Sequence, residues 1–194
     1  MPIIGTLAGT STRGFGGLRT FEVPATGAYE WIANVGPGNN TSTSLTFSSI
    51  PSTYTHLQIR GNGQGQYGGT TYGAVGLRVN GDTNNNYDRR AYVGNTPSSF
   101  TIQSNSWMQV GVSQLIGAAE DNVSIVIIDL FNYRSTTFKK LAKGWGGIAT
   151  PSGTEVSLGS GHWTGSTAIT SITMFQPNGN WEADASFSLY GIKG

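Results

Sequence analysis

The segment Asp82-Thr83-Asn84-Asn85-Asn86-Tyr87-Asp88 spaces oxygen ligands at every second residue, the opening pattern of a calcium loop. The continuation fails, because the position that needs glycine is Tyr87 and the closing bidentate glutamate falls on Val93. The competing reading is a polar hairpin loop whose Asn and Asp side chains cap their own backbone. His56 and His162 stand far apart without a neighbouring ligand pair, so both read as polar strand residues rather than zinc ligands. Gly159-Ser160-Gly161-His162 resembles a nucleophile elbow only superficially, and no Gly-x-Ser-x-Gly occurs. Glu22, Glu30, Asp129, Glu155 and Glu182 leave open a glycosidase pair, since any two could converge in space. Gly61-Asn62-Gly63-Gln64-Gly65 lacks the lysine and following helix of a phosphate cradle. There is no cysteine, hence no disulfide, thiolate metal site or cysteine nucleophile. The expectation is a protein that is not an enzyme and carries no metal or cofactor.

Recognition chemistry remains. Tyr67, Tyr72, Trp107, Trp163 and Trp181 lie near glycine, asparagine or serine, and flat rings beside amides and hydroxyls suit glycan binding. The alternative is that these aromatics fill the core or subunit contacts. Composition points the same way. Only 11% of the 194 residues are charged, against about a quarter in ordinary soluble domains. Stretches 31–59, 91–119 and 156–181 contain no Asp, Glu, Lys or Arg. Such a chain is suited to packing against copies of itself or other subunits, or to touching neutral polar ligands such as sugars. The formal charge is +1 and the basic residues are scattered, apart from Arg89-Arg90 and Lys139-Lys140, so no nucleic acid partner is expected. No run approaches the roughly 18 apolar residues of a membrane span. The start, Met1-Pro2-Ile3-Ile4-Gly5, lacks a secretory pattern, so the expected product is made and used without secretion or membrane anchoring.

The elements that position these residues read as strands. Short β-branched or aromatic runs alternate with glycine and asparagine punctuation. Residues 28–35, 44–48, 54–60, 72–80, 100–102, 108–115, 122–131, 138–148, 156–158, 168–175 and 185–192 fit this grammar, while 61–69 reads as a mobile loop. Asn80-Gly81-Asp82 is a strong turn signal. The most apolar run, 122–131, reads as a central strand buried on both faces. About ten strands without an amphipathic helix, heptad or repeat predict an all-β fold: one sandwich of jelly-roll type.

Residues 1–20 hold only Arg13 and Arg19 as charges, among mostly Gly, Thr, Ser and small apolar side chains, and read as an extended N-terminal anchoring arm; residues 21–194 form the sandwich domain. Ile3, Ile4, Leu7, Phe15 and Leu18 are expected to enter pockets on a neighbouring subunit, with Arg13 seeking a carboxylate or carbonyl there. A homotrimer would bury the uncharged strands and hide sheet edges, leaving the charged segment 133–143 largely at the rim or in solvent.

Four stretches carry a family likeness: Thr12-Arg13-Gly14-Phe15-Gly16, the run from Ser44 through Ile50-Pro51-Ser52 to Leu57, Leu77-Arg78-Val79-Asn80-Gly81-Asp82 with Tyr87, and the closing Ser186-Phe187-Ser188-Leu189-Tyr190-Gly191-Ile192-Lys193-Gly194. In order along most of the chain, they resemble small structural proteins of tailed bacteriophages, especially those of cyanobacterial and marine hosts. That resemblance implies a virion protein and supplies no catalytic residues. The role it implies is a tail-fibre or receptor-binding module; the alternative is a capsid decoration protein clamping capsomers. A polysaccharide-cleaving enzyme and a free carbohydrate-binding module are the rivals from other classes.

Overall fold

A computed structural model describes residues 27–39, 42–66, 72–94, 98–116, 123–150, 153–177 and 179–193. The arm residues Ile3, Ile4, Leu7, Arg13, Phe15 and Leu18, and Tyr67, lie outside the described residues. Among the described residues every regular element is a strand: β1 (Tyr29–Val35), β2 (Ser44–Phe47), β3 (His56–Asn62), β4 (Gln64–Gln66), β5 (Tyr72–Val79), β6 (Tyr87–Val93), β7 (Ser98–Asn105), β8 (Met108–Ile116), β9 (Val123–Phe131), β10 (Lys140–Thr150), β11 (Gly153–Trp163), β12 (Ile172–Phe175), β13 (Asn180–Trp181) and β14 (Ser186–Ile192). They form an eight-stranded sheet, β1-β14-β3-β9-β10-β11-β6-β7, and a six-stranded sheet, β13-β4-β8-β5-β12-β2. The two share one core, so the fold is an all-β sandwich.

The core follows from the two-residue period. Leu57 and Ile59 of β3, Val126, Ile128 and Leu130 of β9, and Phe187 and Leu189 of β14 point inward from the larger sheet and are buried. Val75, Leu77 and Val79 of β5, Val110 of β8, and Ile172 and Met174 of β12 answer them from the smaller sheet. Each such side chain contributes about 1.5–3 kcal/mol on leaving water. The Asn-Gly signal forms the expected turn: Asn80 and Gly81 take φ of 53° and 66°, and the Asp82 amide donates to the Val79 carbonyl at 3.0 Å. Asn80 also pins the segment before β12, donating to the Ala168 carbonyl and accepting from the Thr170 amide, both at 2.8 Å.

Four antiparallel pairs nest within one another along the chain: β1 with β14, β2 with β12, β3 with β9, and β5 with β8. Successive pairs alternate between the larger and the smaller sheet. The hairpin β6-β7 and the hairpin β10-β11 widen the larger sheet beyond β9. Among the described residues one pairing is parallel, β4 with β8.

Two sequence expectations are corrected. Part of the stretch read as a loop is strand: β3 runs on to Asn62 and β4 covers Gln64–Gln66, and Gly61 serves close packing rather than looseness, since a Cβ there would fall 2.1 Å from the Ser186 carbonyl oxygen. Strand β9 is fourth of eight, but it is not covered on both faces, since Ile125 and Phe131 are exposed on the outer side that a two-layer sandwich leaves bare. Segment 133–143 is largely exposed, Arg134, Lys139 and Lys143 included, with Tyr133, Lys140 and Ala142 as its buried members.

Candidate functional site

The larger sheet's outer face carries the most unusual surface of the described residues. Register places Ile127 of β9 opposite Trp145 of β10, Trp145 opposite Leu158 of β11, and Leu158 opposite Tyr92 of β6. The adjoining row pairs Ile125 with Gly147 and Gly147 with Val156. Tyr92, Trp145, Ile125, Leu158 and Val156 are 37% to 57% exposed. Side chains from four consecutive strands thus form one contiguous apolar patch, and soluble monomers rarely leave more than a few hundred Å² of such surface open. A polar row borders it, formed by Asp129, Lys143, Ser160 and Arg90 in register. Toward the far edge of the same sheet, Trp31 is 64% exposed and lies opposite Tyr190, while the Arg60 guanidinium sits 5.4 Å and 5.7 Å from the Tyr29 and Tyr190 ring centres.

The aromatics expected to bind glycan are dispersed. Trp181 is fully buried, edge-on to Phe187 at 5.1 Å, and its Nε1 has no hydrogen-bond partner among the described residues. Trp163 is buried too, donating from Nε1 to Asp82 at 2.7 Å. Neither presents a ring to solvent, which removes both from the candidate set: inward strand parity and the shared core claim them. Tyr72 begins β5. Trp107 precedes β8, partly exposed, with its ring edge-on to Phe175 at 5.7 Å and the Arg89 guanidinium 3.6 Å from its centre. Trp31, Trp145, Tyr92 and Tyr190 are among the outward aromatics that the sequence reading missed.

The polar loop has the geometry of the self-capping alternative. Asp82 Oδ1 accepts from the Asn84 amide and side chain at 2.9 and 3.0 Å, and Oδ2 accepts from Asn86 and Trp163 at 2.9 and 2.7 Å. His56 Nδ1 accepts from the Asn132 amide at 3.1 Å, and His162 Nε2 lies 3.3 Å from Asp88. Of the open carboxylates, Glu30 accepts from the Tyr54 hydroxyl and pairs with Lys193, and Asp129 accepts from Gln58. No group of three or more metal-ligating acids or histidines occurs among the described residues.

Burial pushes the Asp82 carboxyl up, but hydrogen bonds from Asn86, Trp163 and Asn84 outweigh it and hold the group at about 2, below its ordinary 3.8. A carboxyl depressed on folding stabilises the protein above its unfolded value, and that stability fades as pH falls from about 4 toward about 2. Asp82→Asn is expected to cost about 2 kcal/mol at pH 7 and to flatten the acid limb. Thermal melts between pH 6 and about 2 check this, and parallel limbs for variant and wild type would refute it.

No protein-family model, curated protein or solved structure matches the chain.

Proposed function

We propose that the chain is a non-enzymatic structural protein on the surface of a tailed-phage virion, a tail-fibre or receptor-binding module assembled as a homotrimer and anchored by residues 1–20. The observation that carries the assembly role is the apolar outer face around Trp145, Val156 and Leu158. Its burial against another subunit gains what exposure forfeits, about 25 cal/mol per Å². The phage setting rests on the four stretches with a family likeness, three of which fall on β2 through β3, the end of β5 with its turn, and β14. The finer architecture in this reading is a jelly roll. Its support is the nesting of four antiparallel pairs that alternate between sheets, the topology of a long two-stranded ribbon rolled upon itself.

Val156→Lys with Leu158→Lys tests the face. Both side chains are more than half exposed, so the single chain should lose no more than about 0.5 kcal/mol per site. In an assembly each lysine would be a buried charge without a partner, which costs several kcal/mol. Light scattering should therefore show a wild-type trimer and a folded, monomeric variant at micromolar concentration. A monomeric wild type, or a variant that still trimerises, would overturn the assignment. Mass spectrometry of separated heads and tails tests the tail placement.

A further inference from the structure

On the opposite side of the molecule, the outer face of the six-stranded sheet holds a groove of about 540 Å³. Thr43 at the start of β2, Arg78 of β5, Thr173 and Phe175 of β12, and Gln176 and Asn180 beyond it line the groove. Arg78 and Thr173 are register partners on that face, and Thr173 Oγ1 lies 3.0 Å from Thr46 Oγ1.

Arg78 is built into position by uncharged neighbours. Its Nε donates to the Ser106 carbonyl at 2.9 Å, a terminal nitrogen lies 3.5 Å from the Ser106 hydroxyl, and the guanidinium stands 4.4 Å from the Phe175 ring centre. Phe175 in turn packs on Gly76, where a Cβ would come within 2.6 Å of the ring, and stands T-shaped to Trp107. Ser106 thus engages at most two of five N–H donors. No carboxylate lines the groove, and neither ion pair among the described residues involves Arg78. A fixed guanidinium without an acid selects an anionic group, most favourably a carboxylate met bidentately.

We propose that this groove binds a carboxylate-bearing sugar, a uronate unit of an acidic polysaccharide. Arg78 takes the carboxylate and the side chains of Thr43, Thr173 and Asn180 take sugar hydroxyls, while Phe175, itself buried, backs the guanidinium from beneath. The volume lies in the range of small-molecule sites, about 300–1,000 Å³, and is far larger than an inorganic anion needs. This deepens the receptor-binding reading, on which its biological role rests, and departs from the neutral glycans that the composition suggests.

The test uses the full chain with trigalacturonate, a glucuronate trisaccharide, a neutral trisaccharide and inorganic sulfate as probes, measured by calorimetry and amide chemical shifts. At least one uronate probe should bind about tenfold or more tighter than the neutral one, shifting amides near residues 78 and 173–180, and sulfate should not displace it at equal concentration. Arg78→Lys, which keeps the charge but loses the planar fork, should weaken binding about tenfold. Asn180→Ala should weaken it a few-fold while each melting temperature stays close to wild type. Equal binding of neutral and acidic probes, full competition by sulfate, no effect of Arg78→Lys, or no uronate binding at about 10 mM would each overturn the proposal. Adsorption of labelled protein to host cells separates the two readings. Adsorption that survives Arg78→Lys removes this groove and keeps the receptor role, whereas uronate binding without adsorption does the reverse.

Discussion

Gly144→Ala is expected to cost about 4 kcal/mol or more of folding stability, lowering the melting temperature by roughly 8–16 °C. Strand β8 passes beneath β10 and β11, and glycines set how closely the two layers meet. A Cβ on Gly144 would lie 1.8 Å from the Val110 carbonyl oxygen and 2.8 Å from its carbon; one on Gly159 would lie 2.5 Å from the Gln109 carbonyl oxygen. The obstacles are backbone atoms of a strand that pairs with β5 on either side of Val110, so no rotamer change relieves the clash. The layers must separate locally, and the dispersion contacts of Val110 and Val126 are lost with them. Gly147 in the same strand is the control, because a Cβ there meets nothing closer than 3.8 Å. Gly147→Ala should be neutral or slightly stabilising through the entropy of the unfolded chain. Equal losses from both substitutions would show that glycine removal as such, rather than the layer contact, is responsible.

How far the sequence reveals this arrangement depends on what each residue reports locally. Strands with clean alternation, such as β5 with Val75, Leu77 and Val79, are legible because one face is apolar throughout. Strand β6 is not: Asp88, Arg89 and Arg90 interrupt Tyr87 and Ala91, and only the structure shows Arg89 lying against Trp107. β4 and β13, of three and two residues, are too short to show a period. Glycine is ambiguous in sequence, since one that ends a strand and one that admits a facing backbone look the same. The outer apolar patch did leave a signal. Lys143 and Trp145 share parity in β10, and a lysine marks the solvent side, so Trp145 is placed outward by the same argument that sends Trp163, in step with Gly159 and Gly161, inward. The Arg78 groove left none, because its walls come from residues 43–44, 78, 173, 175–177 and 179–180, brought together only by the pairing of β12 with β2 and β5.

Lys140→Met should be the second most damaging substitution, at about 3 kcal/mol or more, although methionine nearly conserves volume and apolar character. Lys140 opens β10 with the parity of Ala142, Gly144 and Ile148, which directs it inward, and it is 1% exposed. No acid accompanies it among its hydrogen-bond partners. The ammonium instead donates to the carbonyls of Ser135, Phe138 and Ser166, the latter two at 2.8 and 3.4 Å, which matches its three N–H donors to three acceptors. Two of those carbonyls belong to the connection between β9 and β10, and the third to the segment after β11, so the side chain ties separate loops to one point. Burial lowers the Lys140 pKa from its ordinary 10.5, the cost of holding the charge away from water. Methionine removes that cost but takes from three backbone carbonyls the charged donor they share, and a hydrogen bond to a charged group contributes about 1.5–3 kcal/mol. Because the penalty falls on acceptors rather than on lost packing, a larger apolar side chain cannot restore it, whereas Lys140→Arg should recover part through its own donors. Lys139→Met, at the exposed neighbouring position, should shift the urea midpoint little. If Lys140→Met matched Lys139→Met in urea unfolding, the three-carbonyl clasp would have no part in stability.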